Sequence, residues 1–421
     1  MTTTERLPSP LRVPAFRSLW LGETVAGLGF QSTQFLLPLL ALTAAGSSAT
    51  GAGLVSAAQF VPVIVFSLVA GATVGRVSVK ALLITCNVLR GLTMGVLGIV
   101  AHAAGPGIGL LMAVAFVVGA LTVFHDIGHQ AAVPHSLAAG RLTEGNGLLE
   151  ASYSVAQMAG PAVAGYTLQE FGLPATAAAT AVVFTVALLC FLPLRLTPAA
   201  GAEATPALRS VLKGLRFTWR HRALRDLCVQ SALFNLHEQA LITAFMVFAV
   251  RSLGLSSGVV GVIVGLGSVG ALAGSLWVGR YAARLHVGAA VTWSLTVSAL
   301  SLLAGVLLAL TGPAVPALAG AFVVNGLALA VYNVYALSLR GVLAPPERLG
   351  VVMAGYRLVS MAPIPLGAVI GGALAQSAGP GAAMVAITAS LTLASFALRR
   401  SPLRRIRRLT DPAAESSLER R

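Results

Sequence analysis

"SYSVAQMAGPAVAG", residues 152–165, lies in a run apolar enough to cross a bilayer, yet carries glycine and proline side by side at 160 and 161. A second stretch, "GYRLVSMAPIPLGA" at 355–368, matches it in spacing. Tyr153 pairs with Tyr356, Met158 with Met361 and Ala159 with Ala362, with proline just after each set. The offset is 203 residues in a chain of 421, so the chain reads as two related halves. Other landmarks keep the same register. "FRSL" at 16–19 and "LRDL" at 224–227 open the halves, and Gly75-Arg76 recurs as Gly279-Arg280, 204 residues on.

Composition supplies the solvent for those halves. Hydrophobic residues make up 57% of the chain and charged ones 10%. A soluble core stops growing near about 250–300 residues, so apolar surface in this excess faces lipid. Twelve apolar runs reach the roughly 20 residues needed to span hydrocarbon. They fall near 18–44, 50–75, 81–104, 108–133, 146–170, 174–194, 227–250, 257–279, 286–311, 315–339, 349–377 and 379–398. The predicted fold class is all-α integral membrane, with twelve transmembrane helices in two pseudo-symmetric six-helix bundles. The predicted domains are an N-terminal bundle (1–196), a connector (197–222), a C-terminal bundle (223–400) and a basic tail (401–421).

The net charge of +15 is not a nucleic-acid signature, because its distribution follows topology. Of 28 Lys and Arg, 25 fall in the N-terminus, the even-numbered loops, the connector region and the tail; the odd-numbered loops hold only Arg251. That asymmetry places both termini in the cytoplasm. Three cysteines, Cys86, Cys190 and Cys228, form no disulfide framework and read as small core residues. In the connector, Leu208, Val211, Leu212, Leu215 and Trp219 share one helical face, with Arg209, Lys213, Arg216 and Arg220 around it, the pattern of an interfacial amphipathic helix.

Several segments carry a family resemblance. "GATVGRVSVKALL" (71–83) is similar to the loop motif that follows the second span in the major facilitator superfamily, giving Gly71, Gly75 and Arg76 a gating role by resemblance. "HDIGHQAAVP" (125–134), "NGLLEASYSVAQMAGPAVAG" (146–165), "GLRFTWRHRAL" (214–224) and "YRLVSMAPIPLGA" (356–368) resemble the drug:proton antiporter branch of enterobactin and macrolide exporters. The chain departs from that pattern where the loop aspartate is Gly75 and where relatives carry an acidic residue at Phe30 or arginine at Tyr153 and Val351. In this superfamily Gly-Pro on the fifth span resembles a motif found mostly in exporters. Physically, Pro161 removes a helix hydrogen bond and predicts a kink, while Gly160 and Gly165 let a neighbour approach; Pro363 and Pro365 repeat this in span eleven. The resemblance implies proton-coupled export of a small hydrophobic or amphipathic compound by alternating access, with no enzymatic step. Proton-coupled uptake, lysolipid movement and a non-transporting membrane sensor stand as alternatives.

A charge at mid-helix costs roughly 2.5–3.5 kcal/mol on insertion scales, so each one calls for a reason. Glu23, Arg90, Asp126, Glu150, Glu238 and Arg357 are such residues. Asp126 and Glu150 are expected at one depth on adjacent spans, where two carboxylates cannot both ionise cheaply. Asp126 is therefore the expected proton carrier, with Glu150 beside it and His129 in hydrogen-bonding reach; Glu238 and Glu23 follow. Arg357 is expected to gate or to serve as counter-ion. Gln34, Gln59, Asn235, His237, Glu238, Asn325, Tyr332, Asn333 and Tyr335 supply polar groups to spans expected to line the cavity. No phosphate-binding loop and no metal-ligand spacing occurs, so the proton gradient is the expected energy source, without cofactor. The expected setting is a bacterial inner membrane, with the chain as a monomer, a small-molecule substrate and lipid as its partners, and no nucleic acid.

Overall fold

A computed structural model describes residues 9–43, 46–74, 77–196, 208–281, 286–344 and 349–398. Among these there is no strand. The first half contains α1 (Pro14–Thr43), α2 (Ala49–Val74), α3 (Val79–Ala103), α4 (Ile108–Ser136) and α5 (Leu142–Phe191). A short helix, α6 (Leu208–Arg220), leads to α7 (Arg222–Val247), α8 (Ser257–Tyr281), α9 (Val287–Thr311), α10 (Ala314–Leu343), α11 (Leu349–Met361), α12 (Ile364–Ser377) and α13 (Pro380–Leu398). Among the described residues, eleven helical stretches are long and apolar enough to cross a membrane.

One of those stretches crosses twice. Gly172, at φ 73° and ψ 179°, is the one non-helical residue inside α5. The contacts along α1 show that the chain reverses there. Near one end of α1, Trp20 Nε1 donates to Ser152 Oγ (2.8 Å) and Ser18 Oγ donates to the Cys190 carbonyl. Further along, Ser32 Oγ donates to the Gly160 carbonyl and Gly29 packs on Phe184. The two arms of α5 therefore run antiparallel beside α1, and they are spans five and six of twelve. A left-handed φ is cheap only for glycine, which is why the reversal sits at Gly172.

The prolines act unequally. Helix α5 runs through Pro161 in helical conformation, whereas span eleven breaks outright between Met361 and Ile364. Pro161 removes one backbone donor; Pro363 and Pro365 remove two within a turn. Asn235 Nδ2 donates to the Ser360 carbonyl at 2.8 Å, satisfying a group beside the break.

The halves repeat their packing. In the first, α4 lies on α2 and α3; in the second, α10 lies on α8 and α9. Across the halves, α2 packs on α12 and the first arm of α5 packs on α8. These two seams hold at the end of the molecule that carries Arg251, and they are built from backbone-to-backbone approach. A Cβ on Gly53 would lie 2.5 Å from the Ala368 carbonyl oxygen, and one on Gly165 would lie 2.2 Å from that of Ser257. The Arg251 guanidinium donates to the Ser47 carbonyl across the same end.

Each seam is also pinned by a glutamine, in a pseudo-symmetric pair. Gln169 Oε1 accepts from the Gly258 N–H at 3.3 Å, and Gln376 Oε1 accepts from the Ala49 N–H at 3.0 Å. Both donors are first-turn N–H groups that no helical carbonyl can reach. A hydrogen bond is worth about 0.5–1.5 kcal/mol net, so replacing both glutamines with leucine should shift the balance of seam-closed and seam-open forms by roughly 5–150-fold. The check is labelling of a single cysteine placed at position 34, from the Arg251 side. Unchanged labelling in the double variant would show that the glutamines hold nothing.

The connector differs in how it docks. Gly214 and Phe217 turn toward α11, with Gly214 against the Val351 carbonyl, while Leu212 and Trp219 stay exposed beside Lys213, Arg216 and Arg220. Exposed apolar and basic side chains on one short helix suit the headgroup layer.

Candidate functional site

Two voids lie in succession along the cleft between the bundles. The outer one, nearer the closed seams, has a volume of about 330 Å³ and is lined from both halves. Helix α1 supplies Gln31, Gln34, Phe35 and Pro38; α2 supplies Ser56, Gln59 and Phe60; α5 supplies Gln157 and Pro161. The second half adds Glu238 and Gln239 from α7, with Phe322 and Asn325 from α10. The mixture of aromatic walls and a few convergent polar groups is the usual make-up of a small-molecule site.

The second void, about 480 Å³, opens toward the basic end. Its walls hold Glu23, Ala26, Gly27 and Phe30 of α1, Arg90 of α3, His125, Asp126 and His129 of α4, Glu150 and Tyr153 of α5, and Arg357 of α11. Successive turns of α1 and α5 line the two voids in order, so the second is a vestibule to the first.

The ionisable groups in the vestibule are paired in a way the sequence does not predict. His129 Nδ1 lies 3.2 Å from Glu23 Oε1, and His125 Nε2 lies 3.7 Å from the same oxygen. His129 was expected beside Asp126. His125 and His129, one turn apart, both meet Glu23 of α1, whereas Asp126, about 100° round from His125 and about 60° round from His129, meets the other bundle. There its carboxylate lies 3.8 Å from the Arg357 guanidinium, both side chains nearly half exposed (45% and 47%). Glu150 lines the same vestibule and is exposed. Spans four and five, expected as neighbours, barely touch, because α4 packs on α2 and α3 and the vestibule lies between them.

Arg90 is a residue whose role sequence reasoning left open. It is 1% exposed in mid-α3, its Cζ lies 5.7 Å from the Phe184 ring, and its Nε has no hydrogen-bond partner. The signal was present, a lone arginine inside an apolar run. Gln31, Gln157 and Gln239 also went unnamed as lining groups, although Gln31 and Gln34 share a helix face at i, i+3.

Of the residues expected at the cavity, Gln34, Gln59, Glu238 and Asn325 line it. The others do not. Asn235 is turned to the break in span eleven, and His237 Nε2 contacts Ser390 Oγ on α13 at 3.0 Å. Tyr332 is buried in the second bundle, where its hydroxyl meets Ser231 Oγ at 2.9 Å; that hydroxyl also contacts Tyr356. Tyr335 is buried and Asn333 exposed, both away from the lining. One α7 helix presents 235, 237 and 238 in different directions, and composition alone does not say which faces inward. Gly160 meets α1, where a Cβ would lie 2.6 Å from that of Gln31. Gly71 lies in α2, and Gly75 and Arg76 lie outside the described residues.

A bundle pair enclosing a central void with a charged vestibule is the frame of a transporter, and sequence comparison gives the family. The Major Facilitator Superfamily profile matches residues 19–312. The chain belongs to the Major Facilitator Superfamily. It is 27% identical to the multidrug efflux pump Tap of Mycolicibacterium fortuitum over 93% of this chain and 95% of that one. It is 28% identical to the MFS-type transporter y4rN of Sinorhizobium fredii over 86% and 88%. Among solved structures, a bacterial homologue of the human lysosomal transporter Spinster, inward-facing and unoccupied, superposes with a TM-score of 0.74. It is 14% identical and covers 97% of this chain and 100% of its own. A bacterial homologue of ferroportin, also inward-facing, gives 0.70 at 17% identity, over 93% and 99%. The chain is thus a multi-pass membrane transporter of this superfamily. The low structural identities speak for the superfamily fold alone.

Proposed function

We propose that this transporter exports a small hydrophobic or amphipathic compound from a bacterial cytoplasm in exchange for protons. Export is supported by the full-length similarity to proteins named multidrug efflux pumps. By the positive-inside rule the basic end faces the cytoplasm, so the vestibule is the cytoplasmic entrance and the glutamine-pinned seams are the closed outer gate.

The observation that carries proton coupling is the Glu23–His125–His129 set. A carboxylate oxygen within 3.2 and 3.7 Å of two imidazole nitrogens can take up a proton and hand it between oxygen and nitrogen without moving the backbone. Leaving such a group unused inside a membrane is expensive. In this reading Glu23 holds the coupling proton and the histidines relay it. Asp126, first expected in that role, instead ties its charge to the second bundle through Arg357, so this contact reports the relative position of the bundles. Substrate would occupy the cavity around Gln34, Gln59, Glu238 and Asn325 while the bundles rock about it.

The test is efflux from cells with and without the gene, using a panel of hydrophobic cations, macrolides and siderophores. Gene-dependent efflux that stops on adding a protonophore is expected. Efflux that persists unchanged after the proton gradient collapses would refute proton coupling, and no gene-dependent efflux of any compound would refute export.

A further inference from the structure

The outer cavity contains a buried carboxyl group with nothing positive to meet it. Glu238 Oε1 receives a single hydrogen bond, from Asn325 Nδ2 at 3.4 Å, and Asn325 is itself held by Ser298, whose Oγ donates to Asn325 Oδ1 at 2.5 Å. Glu238 Oε2 is buried and has no hydrogen-bond partner. No lysine, arginine or histidine lines the cavity, and no described cation lies within ion-pair distance of Glu238. The cations of the cleft, Arg90 and Arg357, belong to the vestibule. The same cavity is lined by the aromatic side chains Phe35 and Phe322 and by amides such as Gln59, whose Nε2 is also unpartnered.

A carboxylate in low dielectric is strongly disfavoured unless paired. Here the carboxyl group borders a cavity lined mainly by apolar and π surfaces, which favour a charge that is diffuse and weakly hydrated. We infer that Glu238 is a specificity residue for organic monocations, its carboxylate drawing the positive centre while the phenylalanine rings take the apolar body. This rests on the transport reading and adds the charge class of the substrate. It assigns Glu238 to substrate and leaves Glu23, in the other void, to the proton.

The competing possibility is that Glu238 carries a proton and acts as a hydrogen-bond donor to neutral ligands. The two ideas differ in a matched pair of probes. Tetraphenylphosphonium is a cation without donor or acceptor; triphenylphosphine oxide is a neutral acceptor of similar shape. Binding of each to purified protein in nanodiscs, for wild type, Glu238→Gln and Glu238→Asp, decides between them. Wild type should bind the cation at least about tenfold tighter than the oxide, a difference of about 1.4 kcal/mol. Glu238→Gln should erase that preference, and Glu238→Asp should keep most of it. Equal binding of both probes by wild type, or tighter binding of the oxide, would overturn the inference even if Glu238→Gln failed to fold. So would a folded Glu238→Gln that keeps the cation preference. Cellular efflux of the same probes separates this inference from the transport reading. Export of the oxide without the cation sinks the charge assignment alone, whereas export of neither, nor of any compound in the panel, sinks both.

Discussion

Glu23→Gln is expected to abolish concentrative export driven by a proton gradient while leaving substrate counterflow measurable. Glutamine keeps the size of the side chain but cannot exchange a proton, so the bundles can still rock around substrate with nothing linking the two fluxes. The loss in concentrative flux should be about tenfold or more, as for an intramembrane ionisable group that is functional and not structural. His129, 3.2 Å from Glu23, should show a partial version of the same defect on replacement by glutamine, because a carboxylate without its relay still titrates but exchanges slowly. Asp126→Asn serves as the comparison. It removes a cross-bundle contact at the vestibule, so transport rates should change while uphill movement persists. Concentrative export by Glu23→Gln, together with its loss in Asp126→Asn, would return the proton to Asp126.

The second large effect is steric. A Cβ on Gly261 would lie 2.2 Å from the Pro161 carbonyl oxygen, and the next approach along that seam, Gly265 to the Met158 carbonyl, is nearly as close at 2.4 Å. These distances exist only when the outer seam is shut. Gly261→Leu should therefore be tolerated in the outward-open arrangement and excluded from this one. Overpacking of this kind costs about 1–3 kcal/mol or more, enough to move a conformational balance by roughly 5–150-fold. Transport should fall by a similar factor, and a cysteine at position 34 should become reactive from outside. Gly95→Leu is the control, since nothing lies within 4 Å of a Cβ there. Wild-type transport by Gly261→Leu would mean that α5 and α8 separate only slightly during the cycle.

The contrast between these two sites shows what the sequence reveals. The twelve crossings are legible because lipid imposes a length and a polarity on each segment, and the half-length repeat survives in residues such as Tyr153 and Tyr356. The Gly160-Pro161 pair marks where helices press together, which is the part of its role that side-chain volume dictates. Whether proline bends its helix is not legible locally: Pro161 is accommodated within a continuous helix, whereas two prolines in one turn break span eleven. Charges inside apolar runs identify the functional residues as a group, because the membrane makes each one costly. Their pairing is a different matter. Asp126 and His129 are three residues apart and only about 60° apart round the helix, yet Asp126 meets Arg357 while Glu23 reaches His129 from 106 residues away in sequence. Depth along a helix follows from counting; azimuth follows from packing, which is decided by α1, α2 and α3 together. The same limit separates Glu238, on the cavity, from its neighbour His237, bonded to α13.

The central claim is that protons and substrate move in opposite directions through one cleft. It is tested most directly by purified wild-type protein in liposomes, with a pH gradient as the only driving force and a labelled compound from the efflux panel at equal concentration on both sides. The account predicts accumulation of the compound in the acidic lumen for the fraction of protein whose basic end faces outward, and collapse of that accumulation when nigericin dissipates the gradient in the presence of potassium. Equilibration at equal concentrations, with the pH gradient intact and the protein shown to bind the compound, would contradict it.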